Sequence, residues 1–367
     1  MALAARRVMS ELTIGAGKFA RLLDYLEKIG LDTEAIAARI HLVPHKILAL
    51  DGDERLPALQ YSRLYQEAVR EMQTLGRPIP WAAGLGSEAF ELMCRCIISA
   101  RTLGEALGIA ERYDRLLYPL LGYNVRLLDD PADPCARLSY RVKLDGEDSV
   151  MTPTSWDRSG TRETLARASG LIVWGAFCGW LTGQPLEFER VRIAAPNIGE
   201  AYEGRLARVF HCGIEFDADE TTLSFDRDLL ERRLVHTPES LTEFLDASVY
   251  HLIAVDSQPA STSAAIKSLV TIDLSRGLPS FAAVAETLHM SESSLRRRLQ
   301  KEQTSYQALK DEIRCEVAID QLLNRNAKVA DVAEYLGFTE ASSFVRSFKS
   351  WTGQTPNGYR ERMQALG

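Results

Sequence analysis

Three consecutive arginines, Arg296, Arg297 and Arg298, and a fourth at Arg346 are the side chains of this chain best suited to one specific chemistry. A guanidinium can bond bidentately to the O6 and N7 edge of guanine, which is worth about 1 to 3 kcal/mol of discrimination per well-made pair. Alone, such a run is an ordinary solvated charge patch, so its placement decides. In residues 281–299, Phe281, Val284, Ala285 and Leu288 recur at helical spacing, a turn follows, and a second segment carries Leu295 and Leu299 four residues apart. Residues 329–348 repeat the plan with Val332, Ala333 and Leu336, then Phe344 and Phe348. Two short helices about a tight turn, written twice, are two helix-turn-helix signatures.

With Leu295 and Leu299 inward, helical spacing turns Ser293, Arg296 and Arg297 outward at the front of the second helix, the face a recognition helix offers to the major groove. The corresponding positions counted from Phe344 are Ser342, Val345 and Arg346. Arg298, Lys301 and Lys349 lie further round and suit phosphate contacts, which set register without reading sequence.

The elements that must hold these side chains are also legible. Small Ala285 and Ala333 suit a close helix crossing. Gly337 supplies the positive φ of the second turn; His289 stands at the matching place of the first, where a turn role is favoured over metal binding. Ser291 is the expected N-cap of the first recognition helix, and Thr339 or Glu340 opens the second. Between the heads, residues 306–325 carry Leu309, Ile313, Val317, Leu322 and Leu323 with no Gly or Pro, which predicts one linker helix. Heads held one DNA turn apart, about 34 Å, would enter successive major grooves.

Ala333, Leu336, Gly337, Phe338, Ser343, Phe344, Arg346, Phe348, Lys349, Trp351, Gly353, Pro356, Tyr359 and Arg360 together make residues 266–362 resemble the DNA-binding domain of the AraC/XylS family of bacterial transcription regulators. That resemblance implies two subdomains of about three helices each, joined by a long helix. The first head departs from it, because Gln303, Thr304 and Ser305 stand where a glycine usually follows the recognition helix. Upstream, Phe188 to Ile193, Arg208 to Phe216 and Leu223 to Leu230 are similar to the N-terminal effector domain of the ornithine- and arginine-responsive branch of that family, over residues 20–250. The implied partners are double-stranded operator DNA, a small-molecule effector of unknown identity, a second copy of the chain and RNA polymerase.

Composition is compatible. The chain has 367 residues, long enough for two or three domains, and its 46% apolar content supports sizeable cores. Residues 266–362 hold 14 basic against 12 acidic residues, +2, while the rest holds 29 against 38, −9. Placed arginines, not bulk charge, must therefore supply the field that DNA sees. No run of eighteen apolar residues occurs, and the N-terminus lacks the order of a secretory signal, so a soluble cytoplasmic protein with no membrane partner is expected. Cys94, Cys96, Cys135, Cys178, Cys212 and Cys315 show no zinc-ribbon spacing and read as free thiols; neither metal nor cofactor is expected.

The pattern predicts helices near 18–28, 33–41, 57–73, 87–99, 103–118, 159–181 and 199–210, with Asp32 or Thr33 capping the second. Alternation predicts strands over 123–128, 136–142 and 186–194, and paired strands over 213–225. The expected fold class is thus an α+β sensor, helices packed on a small sheet, followed by an all-α domain with two helix-turn-helix motifs and a linker helix. Long helices before residue 120 disfavour the cupin-like sensor of the arabinose regulator. Domains are expected at 1–237 for the sensor, 238–265 for a dimerisation helix and a Pro/Ser-rich linker, and 266–362 for the reader. The stripe Leu241, Phe244, Leu245, Val249 and Leu252 fits either a dimer seam or packing on its own domain.

No catalytic constellation is present: His211 and Cys212 are adjacent, so on a strand they point to opposite faces, and no phosphate loop or paired-acid pattern occurs. Trp156, Arg158, Arg162, Trp174 and Trp180 cluster about one helical stretch; the first four are the candidates for a ligand cavity, the arginines meeting a carboxylate, against the favoured alternative that the tryptophans are core and the arginines surface. The expectation is a ligand-controlled, sequence-specific DNA-binding regulator and not an enzyme. The alternative is a regulator without a small-molecule ligand, whose N-terminal domain serves only assembly.

Overall fold

The computed structural model describes residues 13–76, 82–143, 161–249, 262–263, 266–267, 278–288, 290–323 and 327–364. By contact, the chain gathers into two compact units. One comprises Met1–Asp24, Asp32–Leu64 and Leu269–Gly367, the other Tyr25–Leu31 and Tyr65–Ser268.

The first unit opens with β1 (Thr13–Gly15), paired antiparallel with β2 (Arg55–Pro57) so that Ile14 faces Leu56. Around that ribbon come α1 (Ala16–Lys28), α2 (Thr33–Ala38), α3 (Pro44–Leu48) and α4 (Ala58–Thr74). The Asp32 carboxylate caps α2, accepting the Ala35 N–H at 2.9 Å. The helix closes at Ala38, short of the expected residue 41, because His41 adopts a left-handed φ of 58° that no helix continues through. Phe19 and Tyr61 meet edge to face at 5.4 Å, joining α1 to α4.

The same unit contains the C-terminal helices: α10 (Phe281–Thr287), α11 (Glu292–Lys301), α12 (Tyr306–Leu323), α13 (Val329–Tyr335), α14 (Ala341–Thr352) and α15 (Pro356–Gln364). Here α12 is the expected linker helix; residues 324–325 lie outside the described residues. Arg63 of α4 forms an ion pair with Asp320 of α12, their side chains 30% and 23% exposed.

The second unit is α+β, with α5 (Glu88–Ile97), α6 (Leu103–Leu121), β3 (Tyr123–Leu128), β4 (Cys135–Val142), α7 (Thr161–Thr182), β5 (Phe188–Arg192), α8 (Glu200–Phe210), β6 (Ile214–Glu215), β7 (Thr222–Asp226) and α9 (Pro238–Val249). Its sheet runs β3-β4-β7-β5-β6, with β5 and β6 parallel and the other neighbours antiparallel. The strands expected as a pair over 213–225 are therefore not neighbours. Helix α8 carries the chain from β5 to a parallel β6, and β7 then takes the place between β4 and β5.

Helix α7 is the core helix of this unit. Its stretch Glu163–Thr182 is long and apolar enough to cross a membrane, and most of it is buried inside the protein. Trp180 near its end is sandwiched between His236 at 3.7 Å and Phe244 of α9 at 3.9 Å. With Leu241, Phe244 and Val249 all buried, the α9 stripe packs within its own unit. Leu252 and most of the linker expected over 255–264 lie outside the described residues.

Candidate nucleic-acid interface

Each reading head is built from the residues whose spacing announced it. In the first, Ser280 caps α10 by accepting the Ala283 N–H at 3.1 Å, and Val284, Ala285 and Leu288 are buried. Ser291 caps α11, its hydroxyl accepting the Ser294 N–H at 3.2 Å. Such a cap is worth about 1 kcal/mol. Leu295 and Leu299 of α11 are buried against α10, which fixes the opposite face of α11 outward. In the second head, Val332, Ala333 and Leu336 are buried, and α14 buries Phe344, Phe348 and Trp351. Phe338 contacts Phe344 at 5.6 Å and Trp351 at 6.2 Å, while Phe348 meets Tyr359 of α15 edge to face at 5.6 Å. Each of these large side chains contributes about 1.5 to 3 kcal/mol by leaving water. The second head is held by aromatic packing where the first relies on aliphatic packing.

The turns share one hydrogen-bond plan. The Met290 N–H reaches the Ala285 carbonyl and the Phe338 N–H the Ala333 carbonyl, both at 2.9 Å. Gly337 takes the expected left-handed φ, 79°. His289 lies outside the described residues. Glu340 occupies the N-cap position of α14 without a side-chain cap bond, so that helix starts without the stabilisation Ser291 gives α11. After α11, Gln303 adopts a φ of 56° and the Thr304 N–H bonds back to the Leu299 carbonyl at 2.9 Å. The turn that usually uses glycine is thus made in the same left-handed form by a residue that pays for its Cβ.

On this scaffold Ser293, Arg296 and Arg297 are exposed on one face of α11, and Ser342 and Arg346 are exposed on α14, with Val345 half-buried. Lys301 and Lys349 are exposed, and Arg298 is half-buried. The Arg296 guanidinium lies over the Phe281 ring at 5.5 Å. The Phe281 ring in turn sits 5.4 Å from that of Tyr306, whose hydroxyl donates to the Pro279 carbonyl at 2.6 Å. Burial pushes the Tyr306 phenol up, so it stays a neutral donor. Arg346 donates to the Ser343 hydroxyl at 3.2 Å and Ser342 to Glu340 at 3.1 Å. These contacts orient Arg296 and Arg346 before any ligand arrives. The Phe281 platform was not read from the sequence, where it is fifteen residues from Arg296 and served only as an apolar helix position.

The candidates for a ligand cavity fare differently. Trp156 and Arg158 lie outside the described residues, as does the side chain of Arg162. Trp174 is buried on α7, and its indole Nε1 has no hydrogen-bond partner among the described residues. Among the described residues no group of three His, Cys, Asp or Glu converges as a metal site.

Residues 30–234 match the family model described as the arabinose-binding domain of AraC transcription regulators, and residues 284–362 match a helix-turn-helix domain. The chain belongs to the AraC family of transcription regulators. It is 26% identical over 342 residues to the ornithine utilization regulator of Pseudomonas aeruginosa, covering 93% of this chain and 94% of that one. The regulator VqsM of the same organism is 39% identical over 82 residues, 22% of this chain and 25% of its own. The crystal structure of the Pseudomonas aeruginosa regulator CdpR aligns over 94% of this chain and 98% of its own, with 24% identity and a TM-score of 0.31. As an AraC-type regulator the chain pairs a DNA-binding helix-turn-helix domain with an effector-type N-terminal domain. In this AraC-family chain that domain carries a five-stranded sheet with β3 and β6 at its edges, not a closed barrel among the described residues.

Proposed function

We propose that this regulator reads an asymmetric operator with two heads per chain and that a small molecule bound in the sensor, residues 1–237, controls the reading domain, residues 266–362. The observation that carries the reading is the exposure of Ser293, Arg296 and Arg297 on α11 and of Ser342 and Arg346 on α14, each on the second helix of a helix-turn-helix. Arg298, Lys301 and Lys349 take phosphates. Val345, half-buried, supplies an apolar contact of the kind that meets a thymine methyl.

The protein acts in the cytoplasm as a homodimer and contacts RNA polymerase. Leu241, Phe244 and Val249 of α9 are buried within their own unit, so the seam for a second copy is placed on another apolar surface. Leu116 and Leu120, one turn apart on α6 and 78% and 75% exposed, supply it. Replacing both with Glu should give a monomer by sedimentation.

The test of the reading is operator binding. Arg297→Ala and Arg346→Ala should each weaken operator binding about 5- to 100-fold while changing binding to random duplex far less. Equal losses on both DNAs would make them phosphate contacts. Effector control fails if no metabolite class changes either operator affinity or transcription.

A further inference from the structure

The sensor unit buries a polar cluster that its own fold does not satisfy. Asp114 lies on the buried stripe of α6, following Leu103, Ala106, Leu107 and Ala110. Its Oδ2 accepts the Val125 N–H of β3 at 3.1 Å, while Oδ1 has no hydrogen-bond partner among the described residues. Val125 is directly opposite Tyr140 of β4, and Tyr123 is opposite Val142, so Tyr123, Val125, Tyr140 and Val142 share one face of the sheet. Tyr140 is fully buried; the Ala83 backbone N–H lies beside its oxygen, and its O–H finds no acceptor among the described residues.

Helix α7 covers the cluster. The Tyr140 ring lies so close to Gly170 that a Cβ there would sit 2.0 Å from it. One turn further along that face is Trp174, with its unpartnered Nε1. The turn Ala82–Gly84 closes the other side; the Tyr123 hydroxyl would meet a Cβ on Gly84 at 2.1 Å, and Ala82 and Ala83 both hold positive φ, 50° and 51°. A left-handed alanine costs about 1 kcal/mol, so the fold maintains strain where these hydroxyls gather.

One buried carboxylate oxygen, one phenol O–H and one indole N–H without partners are costly, about 1 to 3 kcal/mol each, unless something completes them. The carboxylate asks for a cationic donor; the indole and phenol ask for an acceptor oxygen. Flanking aromatic rings favour a cation over an anion.

We propose that Asp114, Tyr140 and Trp174 form the effector site of the sensor and take a small molecule with an ammonium group at one end and a hydroxyl or carbonyl oxygen at the other. The ammonium bonds to Asp114 Oδ1 and faces the Tyr140 ring, and the oxygen accepts from Trp174 Nε1. This rests on the effector-controlled reading above and gives it a place and a ligand chemistry.

The probe is 4-aminobutan-1-ol, with butane-1,4-diol as the neutral and 4-hydroxybutyrate as the anionic isostere, added to the full-length protein at pH 8. At ten times its dissociation constant the amine should raise Tm by about 2 to 4 °C, and the two isosteres should not. Asp114→Asn, which keeps an acceptor for the Val125 N–H, should abolish the shift, and Trp174→Phe, which removes the indole donor, should weaken binding about fivefold. No shift with the amine up to its solubility limit, an equal shift with either isostere, or a shift that survives Asp114→Asn would each overturn the site. Effector control is judged separately. A compound that changes operator affinity equally in the wild type and in Asp114→Asn leaves that control standing and removes this site.

Discussion

The carboxyl of Asp114 gives a measurement that needs no ligand. Burial raises its pKa from the usual carboxylate range to about 7, against a smaller lowering by the Val125 N–H. Because the folded value lies above the unfolded one, the native state holds a proton that the unfolded chain has lost at every pH between about 4 and 7. Stability is therefore complete below the unfolded pKa and falls as pH rises through that window, the reverse of a salt-bridged aspartate. Asn in place of Asp114 mimics the neutral acid: one amide atom accepts from Val125 and the other stands where the proton would be. Integrating between pH 5 and pH 8, the wild type should lose roughly 2 to 3 kcal/mol relative to Asp114→Asn. Urea unfolding of both proteins at the two pH values supplies the four free energies, and every other titrating group cancels in the double difference. Parallel pH dependences of the two proteins would show that Asp114 is ionised without penalty and that the cluster is not the desolvated site described above.

Three other outcomes are expected. Gln303→Gly should stabilise the reading domain by about 1 kcal/mol in thermal or urea unfolding, since it removes the Cβ from a left-handed position while leaving the Thr304 to Leu299 bond intact. Gly337→Ala should cost about 1 kcal/mol and weaken operator binding, even though a Cβ there meets no neighbour within 4 Å, because the penalty lies in its φ of 79°; retention of full stability would place the turn elsewhere. Alkylation at pH 8 followed by peptide mapping should label exposed Cys96 first. Cys135 should lag, because its thiol donates to Glu189 at 2.8 Å and that bond pushes its pKa up to about 11, and Cys178 should lag because burial pushes its pKa up to about 12.

Local period and turn chemistry made the reading heads legible. Val284, Leu295, Val332 and Phe344 are buried where their spacing put them, and the caps and the Gly337 turn follow from side-chain types at fixed offsets. What spacing does not encode is contact between distant positions. Phe281 beneath Arg296 and the partner of the α9 stripe depend on how helices meet, and the order of β5, β6 and β7 depends on a helical crossover. Helix α3, of five residues, is too short to show a period. Asp114 is different: it occupies an apolar position of the α6 stripe, eleven residues from Leu103 and four from Ala110, so a buried acid could have been read from the sequence. The signal was there, but a helical pattern is ordinarily read for its apolar members.

The ion pair between Arg63 and Asp320 joins residues that are synthesised far apart in time. Both belong to the compact unit made from the two ends of the chain, with residues 65–268 falling between its parts. On the ribosome, the N-terminal helices of that unit must therefore wait for the whole intervening segment before α12 can reach them, at roughly 5 to 20 residues per second. The intervening unit has all of its strands in hand well before then, so it can complete first. A chain truncated anywhere before α12 would lack Asp320 and so the ion pair that Arg63 of α4 makes with it.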